Sequence, residues 1–153
     1  MKTLKLYITE ALHVNKNTKI IEHNYHPKTK RELKDLVKKL IRERGKNADL
    51  NDIDTSEITD MSYVFFNSMF NGDISEWDVS NVKDMQAMFW NADFNGDISK
   101  WDVSNVIDMR SMFTYSKFNG DISKWDVSNV EYMNDMFDNS PLEKNPPKWY
   151  KKQ

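Results

Sequence analysis

Phe70-Asn71-Gly72-Asp73-Ile74-Ser75-Glu76-Trp77-Asp78-Val79-Ser80-Asn81-Val82 is the stretch that decides how this chain folds. It is written again as Phe94 to Val106 with one change, Glu76 to Lys100, and a third time as Phe118 to Val130. The period is 24 residues and never slips: Trp77, Trp101, Trp125 and Trp149 keep it, as do Met61, Met85, Met109 and Met133, and Phe65, Phe89, Phe113 and Phe137. A single unit of this size cannot bury its own Trp, Met and Phe, so the copies must stack on one another. Working outward, Asn47 to Ile53 matches Asn71 to Trp77 in chemistry and reads as a degenerate first turn. At the other end Leu142 takes the place of Phe118, and Pro146-Pro147 that of Ile122-Ser123. Proline blocks strand pairing, and atypical end copies are what a capped array needs.

Within one copy, Ile74-x-x-Trp77-x-Val79 reads as a short strand, and Val82, Met85, Met88 and Phe89 follow at helical spacing. Ser80 or Asn81 is placed to cap that helix and Asp84 suits its positive end. Asn-Gly-Asp, as in Asn95-Gly96-Asp97, is a turn signal, because Gly accepts positive φ and Asn and Asp bond nearby backbone. The unit expected is therefore α/β: strand, turn, short helix, with parallel strands about 4.8 Å apart.

The signature FNGDISxWDVSNVxxMxxMF, over about residues 47–149, resembles the BspA-type leucine-rich-repeat family and the related domain of unknown function in mycoplasma lipoproteins. That resemblance implies a right-handed solenoid of 24-residue units, with parallel strands on one face and short helices on the other. It also implies export to the cell surface for most such proteins.

The N-terminal stretch reads as a capping module over residues 1–46, followed by a solenoid of about four repeats over 47–149 and a tail at 150–153. Thr29-Lys30-Arg31-Glu32 fits a capping box and Gly45 a stop, which predicts an amphipathic helix over 30–44. Leu33, Leu36, Val37, Leu40 and Ile41 make its apolar stripe, and Lys34, Lys38, Lys39, Arg42 and Arg44 point away. Residues 3–8 and 19–25 are expected to pair as strands beside it.

A length of 153 residues with 39% hydrophobic and 30% charged content fits one ordinary soluble domain. The absence of cysteine excludes disulfides, thiolate metal sites and a cysteine nucleophile. Met1 to Ile8 is too short and polar for a secretory leader, and no apolar run approaches a spanning helix, so the chain as written is expected in the cytoplasm. Residues 1–47 carry 13 Lys+Arg against 5 acids and residues 48–153 carry 9 against 19, a split of +8 and −10. The basic half is either a solubilising end cap or a site for an anionic partner such as nucleic acid.

No nucleophile, phosphate-loop or metal-protease pattern occurs, and His13, His23 and His26 lack carboxylates at a metal spacing. No enzyme activity, small-molecule substrate or cofactor is expected. Two acidic columns stand out: Asp49, Asp73, Asp97 and Asp121, and Asp54, Asp78, Asp102 and Asp126. They read as acceptors of backbone amides in turns; the alternative is a weak calcium ladder through Asp73, Asp97 and Asp121. On a leucine-rich-repeat arrangement Glu76, Asp78, Lys100, Asp102, Lys124 and Asp126 point outward as candidate partner contacts. Phe66 and Trp90 lie outside the invariant columns and either form an exposed aromatic patch suited to a protein partner or pack under the next turn. The expected function is a non-enzymatic protein-protein interaction module. A structural or adhesive component of a cell surface or virus particle, capable of self-association, is the alternative, and nucleic-acid binding through the basic half a further one.

Overall fold

The computed structural model describes residues 21–152. Among the described residues the one α-helix, α1, spans Lys30–Arg44. Thr29 Oγ1 accepts from the Glu32 amide at 3.2 Å, and Glu32 reaches back to the Lys28 amide at 2.7 Å. Gly45, at φ 91, ends the helix and donates to Ile41 O. Leu33, Val37 and Leu40 are buried against the first 24-residue copy. Arg44 clamps that copy with a bidentate pair to Asp52, 2.9 Å on each arm, and also donates to Asp49 O.

From residue 47 onward the chain advances in coils of 24 residues whose equivalent side chains lie over one another. Phe65, Phe89, Phe113 and Phe137 stack with ring centroids 5.4, 5.6 and 5.9 Å apart, and Phe70, Phe94 and Phe118 at 6.1 and 6.2 Å. Trp77, Trp101 and Trp125 are buried and Trp149 half-buried, and each donates its indole N–H to a carbonyl one coil back: Trp77 to Leu50, Trp101 to Ile74, Trp125 to Ile98 and Trp149 to Ile122. Asn81, Asn105 and Asn129 do the same with Ser56, Ser80 and Ser104. These bonds give the buried indole its obligatory acceptor, so the Trp can serve as core.

The expected α/β solenoid of strand-plus-helix units is not what the chain forms. Val82 to Phe89 and its equivalents are not helical, because alternate amides leave the segment. Met61, Tyr63, Phe65 and Asn67 donate to Asp84, Gln86, Met88 and Trp90 of the next coil at 2.8 to 3.0 Å. Val64, Phe66 and Ser68 instead close turns onto Met61, Tyr63 and Phe65. The same pattern recurs from Met85 to Ala92 and from Met109 to Ser116. In each coil two residues four apart adopt positive φ, Tyr63 and Asn67, Ala87 and Asn91, Ser111 and Tyr115, Asp135 and Asn139, which no right-handed helix admits.

The expected strand Ile74–Val79 is likewise two turns, closed by Trp77 N–H to Ile74 O and Val82 N–H to Val79 O. Aspartates at 73 and 78 accept from the Ser75 and Ser80 amides and hydroxyls, which bends the backbone out of extended geometry. Parallel pairing among the described residues is confined to single bridges: Tyr25 with Ile53, Asp49 with Asp73, and Asp60, Asp84, Asp108 and Tyr132 in succession. The leucine-rich-repeat architecture is corrected with it.

Of the expected N-terminal strand pair, residues 3–8 lie outside the described residues. The described end of the second segment contributes one bridge, Tyr25 with Ile53. At the far end a 3₁₀ turn, Pro141–Glu143, follows buried Ser140 and brings Leu142 and Trp149 onto the last coil.

Candidate functional site

The aspartates of the outward columns are engaged with their own backbone. Glu76, Asp78, Lys100, Asp102, Lys124 and Asp126 are all exposed. Asp78 and Asp102 each accept both the amide and the hydroxyl of the serine two residues on, and Asp126 accepts the Ser128 amide. The hydroxyl and amide of Ser104 hold the Asp102 carboxyl below the ordinary range, as Ser128 does for Asp126. In the neighbouring column Asp97 is lowered by the Ser99 amide and hydroxyl, and Asp121 by those of Ser123. Asp73 accepts from Ser75 in the same way. Each of these carboxylates therefore closes its own turn. Among the described residues no three His, Asp or Glu side chains converge on a point that could hold a metal ion. Of the histidines, His26 meets Asp54 at 3.2 Å, His23 lies edge-on to His26, and His13 lies outside the described residues.

A third acidic column was missed by sequence reading. Asp60, Asp84 and Asp108 accept from the amides of Ser62, Gln86 and Arg110. Lys30 neutralises Asp60 at 2.7 Å and Arg110 folds back on Asp108. Asp84, between them, is raised by burial and by both neighbouring carboxylates, against the pull of the Gln86 amide.

Phe66 and Trp90 come together. Their rings are parallel at 4.7 Å, with Phe66 39% exposed and Trp90 half-buried. Tyr63 joins Phe66 at 5.6 Å and Tyr115, 53% exposed, meets Trp90 edge-on at 5.6 Å. Met69, 72% exposed, stands beside Phe66 along a cleft against α1. The result is an aromatic ridge across three successive coils. Tyr63 and Tyr115 were missed by sequence reading, although a signal existed: Tyr115 interrupts the column Asn67, Asn91, Asn139. A Tyr at positive φ is uncommon, and here it throws the ring outward.

The structure thus defines a protein of stacked, turn-built coils with an aromatic ridge on one stretch and self-satisfied aspartate turns on another. Residues 32–149 match the family described as Mycoplasma protein of unknown function, DUF285, and the chain belongs to that family. No curated protein and no solved structure matches it. No helix among the described residues is long and apolar enough to cross a membrane.

Proposed function

We propose that the protein is a non-enzymatic interaction module that presents the ridge Tyr63, Phe66, Trp90 and Tyr115 to another protein. The observation that carries this reading is the contiguity of four aromatic rings, partly or largely open to solvent, at positions where the coils differ from one another. Aromatic clusters of this kind supply large contact area at low conformational cost and dominate protein interfaces. The aspartate columns, by contrast, have their carboxylates engaged in holding turns. The finer kinship with BspA-type repeats rests on the word FNGDISxWDVSNVxxMxxMF and belongs to this proposal.

The test is affinity capture with three proteins: the native chain, a Trp90→Ala variant, and a variant carrying Lys100→Glu and Asp102→Asn. A partner kept by the second variant and lost by the first locates binding on the ridge. The reverse result moves the site to the outward columns. If none of the three captures a partner, and sedimentation shows ordered self-association, the structural reading replaces the module. Binding of an oligonucleotide that collapses with added salt would replace it with nucleic-acid recognition.

A further inference from the structure

Resting on that reading, we infer that the cleft between α1 and the first coil takes an acidic, amphipathic segment of the partner. Lys30, Lys34, Lys38 and Arg42 repeat every four residues and so form one row along α1. The opposite wall is Tyr63, Phe66 and Met69. At one end Lys30, Lys34 and Tyr63 border a space of about 280 Å³. At the other, Lys38, Arg42, Phe66 and Met69 border one of about 270 Å³, with Val37, Ile41 and Val64 in its lining. The second space therefore has a cationic wall, an apolar wall of Phe66 and Met69 and an aliphatic floor, while in the first Lys30 and Lys34, with Asp35 beside them, face Tyr63.

Three of the four charges on that wall are available. On the neighbouring row Arg31 pairs with Asp35 and Lys39 with Glu43 within the helix, and Lys30 is held by Asp60. Among the described residues Lys34, Lys38 and Arg42 make no ion pair. Burial lowers Lys34 first, and the positive potential of Lys38 and Lys30 adds to it against Asp35.

A carboxylate-bearing segment relieves that potential while its apolar side chains fill the floor. Single-stranded nucleic acid fits less well. Phe66 already spends one face on Trp90, and residues 48–153, with 9 basic against 19 acidic side chains, repel a long polyanion. A flat anionic membrane would not reach the floor between the walls.

The test is selection of random displayed peptides of about 12 residues on the full-length protein, with the best binders synthesised and measured by fluorescence anisotropy. The expected binders combine Asp or Glu with Leu, Ile or Phe. Their affinity falls at least about tenfold in a Lys34→Glu, Lys38→Glu, Arg42→Glu variant whose thermal melt is unchanged. If that variant unfolds, Lys38→Ala with Arg42→Ala, both exposed, is read in the same assay and must weaken binding. Binders without acidic bias, or binders lost with Trp90→Ala but kept by the charge reversals, overturn the cleft and leave the ridge module standing. An empty selection overturns the cleft too, and the capture experiment with a folded partner then decides the module separately. Tighter binding of an oligothymidylate, or of phosphatidylserine vesicles, than of any acidic peptide also overturns it.

Discussion

Asp78, Asp102 and Asp126 belong to the same stack of coils as Phe66, Trp90 and Tyr115, yet the two sets spend their side chains differently. In the aspartate stretch each copy repeats its neighbour almost letter for letter, and each carboxylate is turned on its own coil's backbone. In the aromatic stretch the equivalent residues run Phe66, Trp90, Thr114, Asp138, and their rings meet each other and solvent. Sameness marks the positions that hold the stack. Difference gathers where Phe66, Trp90 and Asp138 reach solvent, while Thr114 in the same column is buried.

The comparison breaks first at the tryptophans. Trp101, buried and bonded to Ile74 O, belongs to the holding set, and Trp101→Ala is expected to cost about 3–5 kcal/mol in urea unfolding. Trp90→Ala, from the aromatic stretch, is expected to cost about 1 kcal/mol or less. Equal losses would erase the distinction.

Glycine sharpens it within the holding set. A Cβ at Gly72 would meet Ala48 O at 2.0 Å, backbone that cannot yield, whereas at Gly120 the nearest atoms are those of the Phe118 ring at 2.7 Å. Gly72→Ala is expected to cost about 3 kcal/mol and Gly120→Ala about 1 kcal/mol, since overpacking is dearer where nothing can shift. Thermal melts of the two variants decide.

Acid separates two aspartate columns. The hydroxyl and amide of Ser56, with His26, hold Asp54 down at about 2. A depressed native carboxyl contributes stability that is complete above its unfolded value near 4 and is lost as the pH falls through about 2. Asp54→Asn should therefore cost about 1 kcal/mol at neutral pH, a cost that shrinks as the pH falls from about 4 through about 2, read from urea melts across that range. Asp84 has the opposite sign. Its raised native value means that stability grows as the pH falls toward it, so Asp84→Asn should be neutral or slightly stabilising at neutral pH.

The smallest effect is the most pointed. Tyr115 sits at φ 57 in a column otherwise filled by asparagine, and Asn91 already donates to Asn67 Oδ1 one coil back at 2.8 Å. Tyr115→Asn is expected to raise stability by about 0.5–1 kcal/mol by relieving the backbone and extending that ladder. The same change should weaken the captured partner. Stability gained and binding lost together would show Tyr115 kept for what it meets outside the molecule.

Much of this was written in the residues. The 24-residue register, the tryptophan, phenylalanine and methionine columns, and the bounds of α1 from Thr29, Glu32 and Gly45 all follow from pattern and capping chemistry. The strand and the short helix did not survive because the spacing Val82, Met85, Met88 serves a run of i to i−3 turns as well as it serves a helix. What separates them is a pair of residues tolerant of positive φ, four apart in each coil. Asn67, Asn91, Asp135 and Asn139 announce it, while Tyr63, Ala87, Ser111 and Tyr115 conceal it. Asp73-x-Ser75 and Asp78-x-Ser80 likewise mark turns inside what alternation reads as a strand. Phe66 and Trp90 stood out as departures from the invariant columns. The cleft did not, because it depends on which face α1 turns toward the first coil, and that is fixed only by packing.

The amide ladder that joins Met61 to Asp84, Met85 to Asp108 and Met109 to Tyr132 sets a grammar for the gene. Inserting or deleting one whole word of 24 residues re-forms every rung with a new neighbour, whereas a change of one or two residues shears all the columns above it at once. The lineage can lengthen or shorten this protein by complete copies, and substitutions along the ridge can then vary from copy to copy without disturbing the scaffold beneath.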